Sequence, residues 1–114
     1  MDREGFRRGV ALFNSCHFYD AHEVLEDVWH DAPADEKRFL QGLIQVAVAL
    51  HHHSRGNLAG AASLLARGER NIRSYPEGYA GIKLKPLREA IAAWRSALDD
   101  GAPLPPPRIE FCDG

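Results

Sequence analysis

The sequence predicts an all-α fold, a compact five-helix bundle made of helix-turn-helix hairpins with tetratricopeptide-like pairing. Three observations lead there. Apolar residues recur at helical spacing along most of the 114 residues. No alternating β-branched stretch is long enough to form a strand. Glycine, proline and capping residues divide the chain into five segments of helix length. A chain this long buries one hydrophobic core but not two. The expected organisation is therefore a single helical domain over residues 1–101 and a Pro-rich tail over 102–114.

The first helix is expected from Arg3 to Asn14, with Phe6, Val10 and Phe13 on one side, and it breaks at "NSCH". The second follows from Phe18 to Asp31 with the apolar stripe Phe18, Ala21, Leu25, Val28 and Trp29. "APAD" ends it, Pro33 as a break and Asp35 as the cap of the next helix. The third, Asp35 to Ser54, carries Phe39, Leu40, Leu43, Ile44, Val46, Ala47, Val48 and Leu50. Those residues cover more than half its circumference, so it is the central helix, with neighbours on several sides.

"RGN", Arg55 to Asn57, supplies a glycine stop and an N-cap. The fourth helix, Leu58 to Ser74, is rich in small residues (Ala59, Gly60, Ala61, Ala62, Ala66, Gly68) that let a partner backbone come close. Pro76, Gly78 and Gly81 mark a loop. The fifth, Lys85 to Asp100, packs through Leu87, Ile91, Trp94 and Leu98. "PLPPP" cannot continue it, which predicts an extended tail on the surface.

Two segments, "VALFNSCHFYDAHEVL" and "VALHHHSRGNLAGAASLL", share a pattern. In each, a helix ends in Val-Ala-Leu, a short polar turn follows, and a second helix opens with Phe18 or Leu58 and reaches Ala21 or Ala61. The cadence is that of a helix-turn-helix repeat with a period near 40 residues. Two units suit a compact bundle better than an extended solenoid.

Composition excludes several classes. With 45% hydrophobic and 26% charged residues and no apolar run near the ~20 residues of a membrane span, no membrane role is expected. "MDREGFRRG" lacks the apolar region of a signal peptide, and Cys16 and Cys112 have no paired spacing, so a cytoplasmic protein with free thiols is expected. Net charge is -2, but seven acids and no Lys or Arg lie between Asp20 and Glu36. Arg67, Arg70, Arg73, Lys83 and Lys85 outnumber Glu69 and Glu77 further on. Complementary faces of neighbouring helices or of a dimer account for this more simply than an anion site. No aromatic residues alternate with the bases, so nucleic acid is not an expected partner.

"LFNSCHFYDAHEVLEDVW", "FLQGLIQVAVALHHHSRGN" and "GAASLLARG" together resemble the prokaryotic domain-of-unknown-function family 309 over Phe6 to Arg70. That family carries a His-Glu-x-x-Glu element before a Trp, then Leu-Gln-Gly leading into a helix ending in Leu-His. The resemblance implies a small all-helical fold with no established activity. It places the family's polar motif on His22, Glu23, Glu26, Gln41 and His51. The glycine usual in the family's first turn is replaced here by Ser15 or Cys16.

At 100° per residue, His22 lies at the edge of the second helix's stripe beside Trp29, with Glu26 one turn away and Glu23 nearer solvent. On the third helix His51 aligns with Leu40, Ile44 and Ala47, which predicts burial and a need for a hydrogen-bond partner. His52 falls on the polar side with Gln41 and Gln45, and His53 points a third way.

If the two helices pack face to face, His22, Glu26 and His51 converge. Three readings follow. The trio is a hydrogen-bonded network fixing helix register. Alternatively, two imidazoles and a carboxylate hold zinc, iron or manganese in a metal-dependent hydrolase, with Glu23 as base. Or the trio anchors a peptide or a small acidic or amide ligand in a groove. His-Glu-x-x-Glu differs from the zinc-protease pattern because a carboxylate stands in place of the second histidine.

The serines lack a nucleophile-elbow context and there is no phosphate-binding glycine loop. Cys16 reads as a turn residue, and Trp29 and Trp94 as core. The reading favoured is a binding or assembly module that recognises a protein or small-molecule ligand, with a homodimer permitted by the broad third helix and the small-residue fourth.

Overall fold

Asp2 starts the first helix, its carboxylate accepting a hydrogen bond from Gly5 N at 3.1 Å beside the acidic Glu4. In the computed structural model, which describes residues 1–100 and 104–113, the elements are α1 (Arg3–Asn14), α2 (Phe18–His30), α3 (Ala34–Ser54), α4 (Leu58–Ile72), a 3-10 turn (Tyr79–Gly81) and α5 (Leu84–Asp100). The boundary expected between 101 and 102 and Pro103, the first residue of the PLPPP run, lie outside the described residues. The expected all-α, five-helix architecture is the one observed.

Each helix packs on its predecessor: α1 on α2, α2 on α3, α3 most extensively on α4, and α4 on α5. The core runs through the middle of this stack and is led by Phe6, Phe13, Phe39, Leu25, Leu40, Leu43, Leu65, Ile72, Leu87 and Ile91, all but closed to solvent. The expected stripes account for most of it. Phe18, Trp29, Ile44, Val48 and Leu98 are only partly covered, and that exception creates the surface described below.

The small-residue expectation for α4 holds at one point. Carbons added at Gly42 and Gly68 would meet each other's carbonyl oxygens at 3.0 and 2.9 Å, so α3 and α4 cross here backbone to backbone. Ala59, Ala62 and Ala66 lie away from this crossing and remain at least partly exposed.

Asp35 does not cap α3. Pro33 occupies the N-cap position without a side-chain bond, so the helix starts one residue earlier, with Asp35 and Glu36 in its first turn. Tyr75, from after α4, reinforces this end: its hydroxyl donates to Asp35 O at 2.8 Å and accepts from Phe39 N at 3.2 Å. Lys37 returns the favour to α2, its Nζ donating to the carbonyls of Trp29 (2.9 Å) and His30 (3.2 Å) at the negative end of that helix.

Residues 104–113 form no helix, and they are bound into the fold. The Asn14 amide donates to Ile109 O at 2.9 Å and accepts from Ile109 N at 2.8 Å. Trp94 Nε1 donates to Pro105 O at 3.0 Å, and a single antiparallel bridge joins Ile82 to Phe111. Ile109 is consequently 1% exposed and belongs to the core.

Candidate functional site

On α2, Tyr19, His22, Glu26 and Trp29 follow one another at intervals of three, four and three residues, and on α3 so do Gln41, Ile44, Val48 and His51. Such spacing sets four side chains in a ridge along one side of a helix. The helices are antiparallel neighbours, so the ridges run alongside in opposite senses. Tyr19 meets His51 at one end, ring centroids 5.2 Å apart, while Glu26, Trp29, Gln41 and Ile44 surround a shallow pocket of about 100 Å³ at the other.

The structure divides the expected cluster. His22 Nε2 lies 3.1 Å from Glu26 Oε2, the contact that i,i+4 spacing allows, with side chains 19% and 51% exposed. The other ring nitrogen of His22, Nδ1, is 3.2 Å from Tyr19 O. His51 does not join this pair. The Tyr19 ring packs against both imidazoles, its centroid 5.3 Å from that of His22 and 5.2 Å from that of His51. His51 is half-buried rather than buried because its stripe meets an exposed tyrosine at the end of the helix pair. Gln41 reaches the site through the small pocket shared with Glu26. Glu23 is exposed on the outer side of α2.

Two consequences follow for the expected chemistry. Among the described residues no group of three or more His, Cys, Asp or Glu side chains is gathered so that it could hold a metal ion. His22, Glu26 and His51 therefore do not form the three-ligand set that the hydrolase reading needs, and the aromatic ring of Tyr19 packs against both histidines instead. The register reading also loses its cross-helix element, since the His22–Glu26 pair lies within α2.

Tyr19, Trp29, Ile44 and Val48 are the members that sequence reasoning left out of the site. Tyr19 is 52% exposed, unusual for a large aromatic residue at the centre of a ring stack. Trp29 is partly buried against the core rather than enclosed by it, with Lys37 Nζ 4.1 Å from its ring centroid. The three-four-three spacing on both helices was the available signal.

The acid run also behaves differently from expectation. Among the described residues, Glu69 pairs with Arg73, the C-cap of its own helix, at 3.4 Å and with Arg95 of α5 at 3.1 Å, and Lys83 with Glu110 at 3.9 Å. None of these pairs draws on the acids of α2, from which α4 is separated by α3. Asp20 and Glu26 lie near histidines, His17 at 4.0 Å and His22 at 3.1 Å, and with Glu23, Asp27 and Asp31, which follows the last residue of α2, they make an exposed acidic flank along the outer edge of the α2 ridge.

Over residues 6–64 the chain matches the model of a family described as a domain of unknown function, DUF309. It is 45% identical over 66 residues to the uncharacterized protein YpuF of Bacillus subtilis (strain 168), a match covering 57% of this chain and 38% of that protein. It is 35% identical over 103 residues to an uncharacterized protein of Aquifex aeolicus (strain VF5), covering 90% of this chain and 31% of the other. The chain thus spans about a third of the length of these curated relatives. No helix among the described residues is long and apolar enough to cross a membrane.

Proposed function

This chain belongs to the DUF309 family, and from that premise we propose that it is a protein-docking module whose α2–α3 face takes a basic, amphipathic segment of a partner. The observation that carries the proposal is the pair of antiparallel ridges, which leaves Tyr19, Trp29, Ile44 and Val48 partly open beside an acidic flank unpaired with the bases of α4 and α5. The apolar side of such a segment covers these residues. Its Lys or Arg side chains meet Glu23, Glu26 and Asp27, and His22 and Gln41 supply polar anchors. An acidic ligand suits the face poorly, because like charge opposes it. The equivalent turns of the two hairpins support stacking of the tetratricopeptide kind. Two exposed thiols, Cys16 and Cys112, suit the cytoplasm.

Selection of peptides from a random display library on the full chain tests this, with bound peptides mapped by amide shifts. Enrichment of Lys/Arg-rich amphipathic peptides, shifts centred on Tyr19, His22, Ile44 and His51, and loss of binding in Glu26→Lys and Ile44→Lys are the expected results. Peptides that map to another surface, or acidic peptides, would overturn the proposal. So would a concentration-dependent dimer that buries this face, since the occupant would then be a second copy.

A further inference from the structure

A second cavity, of about 300 Å³, lies where the turn between α1 and α2, the last turn of α3, helix α5 and the tail come together. Its walls are Phe18, Leu50, Trp94, Leu104 and Pro106. Its polar groups are the imidazoles of His51 and His53, the Ser54 hydroxyl and the Cys16 thiol, and among the described residues no Lys, Arg, Asp or Glu lines it. We propose that this cavity binds a small, neutral, bicyclic aromatic molecule with one hydrogen-bonding edge.

Size, charge and shape support this choice. The volume is at the lower end of the range for small-molecule sites and about twice that of an apolar cavity known to accept benzene. The described walls offer no carboxylate, ammonium or guanidinium partner, so against them a charged ligand would lose hydration with little in return. The imidazoles donate or accept, and the Ser54 hydroxyl, which donates to His51 O, keeps lone pairs to accept with, so a single ligand N–H or O–H finds a partner in either sense. Phe18 and Trp94 offer aromatic walls, and His53 stands edge-on to Trp94 at 4.8 Å, fixing the indole plane.

The cavity also joins the bundle to its tail. Trp94 Nε1 holds Pro105 O at 3.0 Å, and the residues on either side of Pro105, Leu104 and Pro106, form the outer wall. A ligand that touches Trp94, Leu50 and Leu104 together ties the tail to the helices. Binding therefore slows opening of the tail as well as filling the cavity.

The experiment is a titration of the full chain with indole, followed by amide and indole N–H resonances, beside a titration with indole-3-carboxylate as the charged counterpart. The result expected is saturable shifts at His51, His53, Ser54 and the Trp94 side chain with Kd on the order of 0.1–1 mM. The carboxylate should bind at least about tenfold more weakly, and bound indole should slow hydrogen exchange of the Trp94 N–H and the Ile109 amide.

Ser54→Trp fills the cavity from an exposed position whose hydroxyl donates to His51 O of its own helix. Leu104→Trp fills it from the tail. Both should abolish the shifts while leaving peptide binding at the α2–α3 face intact. The proposal fails if indole does not saturate, if the carboxylate binds equally well, or if the shifts survive in both filled variants.

Discussion

The turn that joins α1 to α2 and the turn that joins α3 to α4 have nearly the same backbone and quite different side chains. Ser15 and Arg55 end their helices at φ -93° and -98°. Cys16 and Gly56 follow in the left-handed region at φ 64° and 81°, then His17 and Asn57 at -89° and -86°. His17 N donates to Leu12 O and Asn57 N to His52 O, both at 2.9 Å, and Cys16 N and Gly56 N each bond one residue further on, the paired bonds of a Schellman ending. The second turn fills this geometry with residues suited to it. Glycine takes the left-handed position, and the Asn57 side chain accepts from Gly60 N at 3.0 Å. The first turn puts a cysteine in the left-handed position and a histidine without a capping bond before α2. Hairpin packing imposes the turn in both places. The first accepts a local cost next to Phe18 and Tyr19, the residues that open the proposed cavity and the proposed docking face.

The sharpest way to separate the hairpins is at their crossings. At Gly68 an added methyl meets the carbonyl of Gly42 and Val46 Cγ2 at 2.7 Å, and the backbone atom cannot turn aside. At Gly9 the obstruction is the Leu25 side chain, at 2.7 Å. Gly68→Ala should therefore destabilise the fold by a net of about 2 kcal/mol, overpacking outweighing the gain in helix propensity. Gly9→Ala should cost less, because Leu25 can change rotamer. Urea denaturation with unchanged slope reads both, and a larger loss for Gly9→Ala would reverse the order of rigidity assigned to the two hairpins.

Exchanging the turn residues comes next in size. Gly56→Ala should cost about 1 kcal/mol from the left-handed backbone alone, since no atom lies within 4 Å of the added carbon. Cys16→Gly, at the matching position, should stabilise by about 0.5 kcal/mol, the relieved strain being partly offset by the freer unfolded chain. His17→Asn should add up to about 1 kcal/mol by giving α2 the cap that α4 already has. If Cys16→Gly destabilises the protein, the thiol makes contacts worth more than the strain, and the two turns are less alike than their dihedral angles indicate.

This equivalence also shows what the sequence could reveal. The period near 40 residues is right at the turns, where Cys16 matches Gly56 and Ala21 matches Ala61. The Val-Ala-Leu segments that first suggested it are out of step by two residues, because Val10 matches Leu50. Helix ends were legible to within one or two residues, since Gly56, Asn57 and Pro33 act locally. The His22–Glu26 contact was legible because i,i+4 neighbours share a helix. The Tyr19–His51 stack was not, since a helical wheel gives a direction without naming the residue opposite. For the same reason His51 was expected in the core and next to Glu26. The tail's attachment through Asn14 crosses 95 positions in sequence and has no local signature.

Helix α5 begins in a third way, and here the smallest effect is expected. Its cap comes from Glu77, across a loop, whose carboxylate accepts from the backbone N–H groups of Leu84 and Lys85 and also from Gly78. Partial shielding from water raises the Glu77 pKa, but those three N–H groups and the Lys85 charge outweigh it, so it falls below its ordinary value of 4.5. A carboxylate with a depressed folded-state pKa adds stability above its unfolded value and loses it as pH falls through the folded one. Glu77→Gln keeps an acceptor and removes the charge. It should lower the urea midpoint slightly at pH 7, and the gap from wild type should close as the pH falls below 4.5. A gap that stayed constant through that range would mean that amide and carboxylate differ here in hydrogen-bond geometry alone, and that α5 gains nothing from the charge at its positive end.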